Sequence, residues 1–275
     1  MPSAVSHQIG VLEAELNASL FLRLPKGLKL SSAGEMLLYH GRRGASEFER
    51  GRSFLASLTG LRSGSTSIAT VEGIAIGPLA KELKSFWLIW PSIRIGLSIG
   101  SSAGAFDAVD RGDAELGLSY ARENHPKVTV LAQAELRVGA IFRADHSLAS
   151  RKILTVRELI DAGLPLLLAD RSNEIRQMLE RAIGKNALRL LPRLDTNSVS
   201  VMSRLAFAGA GVAIKTRVGI EEELSRGELI FVPLSELAKT KQRLILFTRE
   251  DTQPTPAAAA LAEKLIPMVD LLNED

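Results

Sequence analysis

The spacing of apolar residues changes twice along the chain and divides it into three kinds of segment. In residues 3–16 the apolar positions are Val5, Ile9, Leu12 and Leu16, which share one helix face. Pro2 suits a first helical turn, where its missing N–H costs nothing. Residues 20–30 (LFLRLPKGLKL) read as two short extended pieces, 20–24 and 28–30. Pro25-Lys26-Gly27 joins them with turn chemistry and a cation at the tip. Ser32 and Glu35 have the S-x-x-E spacing of a capping box. From there Met36, Leu37, Tyr39, Phe48, Phe54, Leu55 and Leu58 predict a long helix to about residue 58. Gly41, Gly44 and Gly51 weaken that helix by about 1 kcal/mol each and would admit a second helix close by. Residues 60–67 (GLRSGSTS) form a Gly/Ser-rich hinge, and the domain boundary is expected there.

Beyond the hinge the period alternates. Strand-like runs are Ile68–Val71, Ile93–Ile99, Glu115–Ser119, Val128–Leu131, Arg137–Phe142, Leu166–Ala169, Gly211–Ile214, Leu229–Val232 and Leu244–Thr248. Helical stretches lie near 75–86, 103–111, 155–162, 173–184, 198–208 and 217–225, and a closing helix at 254–272 has an expected kink at Pro267. Strands alternating with helices imply βαβ units and mainly parallel sheets, an α/β fold.

Composition narrows the chemistry. A length of 275 residues suggests two compact domains, or one with an appendage, at ~100–200 residues each. With no cysteine the chain has no disulfide, thiol nucleophile, iron–sulfur ligand or Cys-type zinc site. His7, His40, His125 and His146 have no ligand-like spacing, so neither metal nor cofactor is expected. No apolar run approaches the ~20 residues that cross a bilayer, and the N-terminus lacks the pattern of a signal peptide. The expected compartment is the cytoplasm, with no membrane partner. Net charge is only +3, yet all of the excess lies in residues 1–64, with eight Lys/Arg against five carboxylates. Such asymmetry points to a nucleic-acid-facing end, or to a solvated helix face.

Two sets of polar residues carry candidate chemistry. Ser3, Ser6, His7 and Gln8 crowd the start of the first helix, and such groups reach phosphates and base edges in a major groove. The second set follows predicted strands. Gly100-Ser101-Ser102-Ala103-Gly104 is formally G-x-S-x-G between a strand and a helix, the setting of a nucleophile elbow. A serine hydrolase built on Ser102 also needs a base near the C-terminus, and only His125 and His146 follow. Ser102 and the N–H groups of that helix start can instead hold an anion. Thr70 and Glu72, Asp170-Arg171-Ser172 and Asp195-Thr196-Asn197-Ser198 occupy similar junctions, where open α/β sheets bind ligands. Each alone is explained by helix capping; four together favour a cleft. Arg171 would bind a carboxylate if it points inward, and Glu72 would disfavour a second negative charge.

The stretch S-A-V-S-H-Q-I-x-x-L-E-x-E-L-N-x-x-L-F-x-R, followed by L-K-L-S-x-A-G-E, resembles the winged helix-turn-helix of LysR-type transcriptional regulators. The resemblance covers essentially the whole chain and implies a DNA-binding transcription regulator that acts by binding, with no catalytic residues. It implies a partial winged helix over 1–31, a dimerising linker helix and hinge over 32–65, and an effector-binding domain over 66–275. That domain would resemble periplasmic solute-binding proteins, with lobe I at 66–143 and 247–275 and lobe II at 144–246. Pro2–Leu16 would be the recognition helix, with Ser3, Ser6, His7 and Gln8 facing promoter DNA and Arg23 and Lys26 on the wing. A small effector would enter between the lobes through Thr70, Ser101, Ser102, Arg171, Ser172 and Asn197, within a homodimer or homotetramer. Family members begin about two helices earlier. Either a fragment or misassigned start is therefore expected, or a sensor without independent DNA binding, and in each case the operator is bound weakly.

Overall fold

The structure, a computed structural model, describes residues 2–25, 27–57, 63–122, 125, 127–184, 190–250 and 252–273, with backbone only at 2–3 and 56–57. The N-terminal unit is helix α1 (Pro2–Leu16) followed by the antiparallel hairpin β1 (Phe21–Leu24) and β2 (Gly27–Leu30). Glu13 fastens the helix to the hairpin, its carboxylate accepting the N–H groups of Leu20 at 2.6 Å and Phe21 at 3.2 Å. The long helix α2 (Ser32–Ser57) then begins. Its cap is Ser31, whose hydroxyl accepts from the Gly34 N–H at 3.0 Å, and not the expected Ser32. Gly34 lies against the Leu20 carbonyl, where a Cβ would come within 2.1 Å, so only glycine lets the hairpin close on α2. Nothing lies within 4 Å of where a Cβ would stand on Gly41, Gly44 or Gly51, so among the described residues no second helix of this chain uses them.

The remainder forms two five-stranded sheets. The first runs β4-β3-β5-β12-β6, with β3 (Gly64–Val71) parallel to β4 (Ile93–Gly100) and β5 (Leu116–Tyr120). In it β12 (Gln242–Arg249) is antiparallel to both β5 and β6 (Val128–Leu136). The second runs β11-β7-β10-β8-β9, with β8 (Leu166–Ala169) parallel to β9 (Leu194–Thr196) and β10 (Val212–Lys215). There β7 (Gly139–Arg143) is antiparallel to β10 and to β11 (Leu229–Pro233). Half of the pairings are therefore antiparallel, which corrects the mainly parallel expectation. The cause is the pair of direct passages between sheets, β6 to β7 and β11 to β12. No long helix intervenes there, and parallel neighbours require a crossover of that kind. The passages also place β7 in the second sheet and all of β12 in the first, whereas the sequence divides the lobes at 143/144 and 246/247.

Helices cover both faces of each sheet. In the first lobe, α10 (Pro256–Leu271) continues through Pro267 and packs Leu261 and Leu265 on Ile68, Leu118 and Leu246. On the opposite face α5 (Ser102–Arg111) seats Phe106 against Phe247, with ring centroids 4.3 Å apart. Between β3 and β4 lies α3 (Glu72–Ile74), a wide π turn over Ala75–Leu79 bent at Gly77, and α4 (Ala80–Ile89). The second lobe buries Phe142, Leu168 and Ile214 under α6 (Val156–Asp161) and α7 (Glu174–Ile183), and Ile141, Leu167 and Ala213 under α8 (Val199–Phe207). The short α9 (Glu221–Ser225) starts later than the expected 217 because the preceding loop turns at Gly219, φ +83°. Helix α2 rests on the first lobe through Arg42–Asp113 at 3.4 Å, the Glu47–Arg249 ion pair, and the buried Arg50, which bonds Glu47 and the Gln253 carbonyl.

Candidate functional site

A cleft of about 600 Å³ opens where the two lobes meet. Its walls are the C-terminal ends of β3, β4, β5, β8, β9 and β10 and the starts of the helices that follow four of them. This is the edge at which α/β sheets present backbone N–H groups and capping side chains together.

Four of the six residues expected to admit an effector line it, Ser101, Ser102, Ser172 and Asn197, together with the junction residues Glu72, Asp170 and Ser198. Ser101 is the N-cap of α5, accepting from the Gly104 N–H at 3.1 Å. Ser102 is buried and donates its hydroxyl to Glu174 Oε2 at 3.2 Å. The strand-to-helix setting of a nucleophile elbow is therefore present, but the serine hydroxyl is directed at a carboxylate and not at an imidazole. His125 stacks on the Phe106 ring instead.

Two expected residues lie elsewhere. Thr70 is enclosed within the sheet, and its hydroxyl donates to the Leu118 carbonyl at 2.7 Å. Arg171 is 78% exposed at its side chain, with Nε 3.4 Å from Glu180, and it does not line the cleft. The adjacent Arg176 also engages Glu180, at 2.7 Å, so that acidic group draws the arginine head away from the ligand side.

The structure adds residues that sequence reasoning passed over. Tyr120, ending β5, meets Thr216 of the other lobe, Oη to Oγ1, at 3.2 Å. Burial pushes its phenol up to about 12. Lys215 ends β10, and Glu174 begins α7. All three sit where a predicted strand or cap stops, which is the signal that picked out Ser101. Tyr120 and Lys215 were missed because their strands were read one residue short, and Glu174 because it was read as an ordinary residue of the helix at 173–184.

Contacts across the cleft hold the lobes together. Glu72 accepts the Ser198 hydroxyl at 3.0 Å and the Ser200 N–H at 3.3 Å, so a first-lobe carboxylate occupies the positive end of α8. Arg122 pairs with Glu174 at 3.2 Å, and Lys81 with Glu222 at 3.4 Å. Beside them Gly77 and Gly219 touch: a Cβ on Gly77 would lie 2.8 Å from Gly219 Cα, and one on Gly219 2.7 Å from the Gly73 carbonyl. The close approach of the lobes at this point depends on those missing side chains.

At the other end, Ser6, His7 and Gln8 stand exposed on α1 and Arg23 on β1. The side chain of Ser3 and all of Lys26 lie outside the described residues. The apolar side of α1 is uncovered, with Val5 61% and Leu16 45% exposed. Among the described residues no helix is long and apolar enough to cross a membrane, and no cluster could hold a metal ion.

Comparison with known proteins agrees with this division. Residues 1–35 match the bacterial regulatory helix-turn-helix proteins of the lysR family, and residues 59–268 match the LysR substrate binding domain. The chain is similar to the HTH-type transcriptional regulator BbuR of Bordetella bronchiseptica, 23% identical over 249 residues, which cover 90% of this chain and 76% of that protein. Its fold is similar to the regulatory domain of CcmR from Synechocystis PCC6803 in complex with 2-PG, with a TM-score of 0.64, 14% identity, and coverage of 77% and 100%. It is also similar to full-length CbnR complexed with its target DNA, with a TM-score of 0.63, 17% identity, and coverage of 97% and 90%. With its α1–hairpin unit, its long helix and its two lobes around a cleft all accounted for, the chain belongs to the LysR family of transcriptional regulators.

Proposed function

We propose that a small effector binds between the lobes through Ser101, Ser102, Ser172 and Asn197, and that its occupancy is read out at promoter DNA. The observation that carries this reading is the bonding across an open cleft: Ser102–Glu174, Ser198–Glu72 and Tyr120–Thr216 are polar contacts that an entering molecule must exchange or reinforce. A ligand with different affinity for two arrangements of those contacts shifts the balance between them. In a homodimer or homotetramer held through α2, that shift alters the spacing of the α1 helices. The cleft acts by binding and not by chemistry, in keeping with a family of regulators. Melting temperature across a metabolite panel tests the site. A ligand that raises it, with the rise abolished by Ser101→Ala and Ser102→Ala together, supports the assignment; a ligand whose effect survives both changes places the receptor elsewhere.

For DNA, Ser6, His7 and Gln8 on α1 are the base-facing groups, and Arg23 is a phosphate contact on the wing. The uncovered apolar side of α1 favours a second reading, a ligand sensor without independent DNA binding. The polypeptide accordingly binds its operator weakly, and an electrophoretic shift with native promoter DNA decides. Nanomolar, sequence-selective binding at physiological salt would discard the sensor reading.

A further inference from the structure

Lys215 is the one ammonium on the cleft wall among the described residues, and it is only 4% exposed. Its Nζ donates to the Ser203 hydroxyl and to the Val218 carbonyl, both at 3.0 Å. Both acceptors are neutral, and no described carboxylate lies within 4 Å of it. The carboxylates whose charge reaches it, Glu221 first and then Glu223 and Glu72, do not touch it; Glu221 accepts the Gly219 N–H and Glu72 is committed to the start of α8. A buried ammonium with no counter-charge in contact is costly, and an anionic group placed against its remaining N–H would offset that cost. Desolvation already draws the lysine down to about 8.

The remaining charges on the same walls have the opposite sign. Glu72, Asp170 and Glu174 all line the cleft. Each oxygen of Glu72 and Glu174 receives one contact from the protein, and a carboxylate oxygen has room for a second donor. A purely anionic ligand would satisfy Lys215 and be repelled by three carboxylates. A purely cationic one would leave the lysine bare. Apolar surface completes the site: Ile76 is 53% and Ile99 54% exposed, and both face the cleft together with Val71 and Ile175.

We infer that the effector is a zwitterion, an α-amino acid with an apolar side chain, its carboxylate on Lys215, its ammonium toward Glu72 and Glu174, and its side chain on Ile76 and Ile99. This rests on the reading of the cleft as the effector site. The direct test is calorimetric titration of the full chain with three matched sets: leucine and phenylalanine, the corresponding 2-oxo acids, and the corresponding primary amines. The amino acids bind saturably, and removing either charged group weakens binding by roughly tenfold or more, the size of one charge-assisted hydrogen bond. Lys215→Met loses that binding while keeping its circular dichroism, and Lys215→Arg retains part of it. A 2-oxo acid that binds as tightly as its amino acid overturns the zwitterion, as does binding unaffected by Lys215→Met or no response to any of the three sets. If the 2-oxo acid's binding disappears in the Ser101→Ala, Ser102→Ala protein, the cleft stands as receptor and only the ligand class falls. Binding of another ligand that this double variant leaves unchanged removes both. The ligand series on the unaltered chain decides the matter even where a lysine variant does not fold.

Discussion

Helices α1 and α10 are both written with apolar residues at helical spacing, and they meet opposite fates. In α10, Leu261 and Leu265 are sealed against the first sheet. In α1, Val5 and Leu16 remain open to solvent, and Glu13 ties the helix to the hairpin. The contrast shows that a periodic pattern specifies which side of a helix is available for burial, while burial itself needs a partner surface. Most helical stability comes from packing such a face, so the two-lobed body is the stable unit and the N-terminal unit is the soft one.

Four substitutions probe that contrast. Phe247→Ala removes a fully buried ring stacked on Phe106 and should cost about 3–5 kcal/mol in denaturant unfolding; a loss near zero would mean the first lobe's core is loosely packed. Gly219→Ala sets a methyl group against the Gly73 carbonyl at a positive φ and should cost about 3 kcal/mol. Because the clash lies between lobes, it should also weaken any effector that requires their approach, and unchanged affinity would separate stability from closure.

The third test uses pH. Lys215 releases its proton at about 8 in the folded chain and at 10.5 in the unfolded one. Between those values the unfolded state holds more protons, so stability from this group rises with pH. It is fully present above 10.5 and lost as pH falls through 8. Relative to Lys215→Met, the unaltered protein should therefore gain on the order of 2 kcal/mol from pH 7.5 to 10. Tyr120 acts in the opposite sense, its contribution present below 10 and lost as pH rises through about 12, but it is common to both proteins and cancels. A flat difference would show that the lysine is more hydrated than its burial indicates. The smallest effect is expected for Leu12→Ser on the open side of α1, within about 0.5 kcal/mol. A larger loss would mean this face is covered in solution.

Much of the fold was legible. Most predicted strands and helices match the observed ones to within a few residues, because alternation and helical spacing are local properties of the chain. Strand β6 runs five residues beyond its predicted end, and β3 already begins at Gly64, so 64–67 of the expected hinge are strand while 60–62 lie outside the described residues. The three-residue strand β9 was read as a capping loop, since Leu194–Thr196 is too short to display a period. Of the six residues proposed for the effector site, Ser101, Ser102, Ser172 and Asn197 line the cleft, because polar residues after strands share one edge of an α/β sheet. Arg171 was misplaced because the direction of an exposed arginine depends on its neighbours, here Glu180. Thr70 was misplaced because one residue of register separates a cleft wall from a sheet interior.

By itself, then, the order of residues determined the element types, the change from a basic N-terminal segment to an α/β body, and the gathering of polar residues along one edge of the sheets. Only the tertiary structure decided strand direction in each sheet, the exchange of β7 and β12 between lobes, and the meeting of Lys215, Glu72 and Tyr120 on one cleft. The reason is range: backbone periodicity is set by adjacent residues, whereas strand pairing and the surroundings of a buried charge are set by groups more than a hundred positions away, such as Glu72 and Ser198.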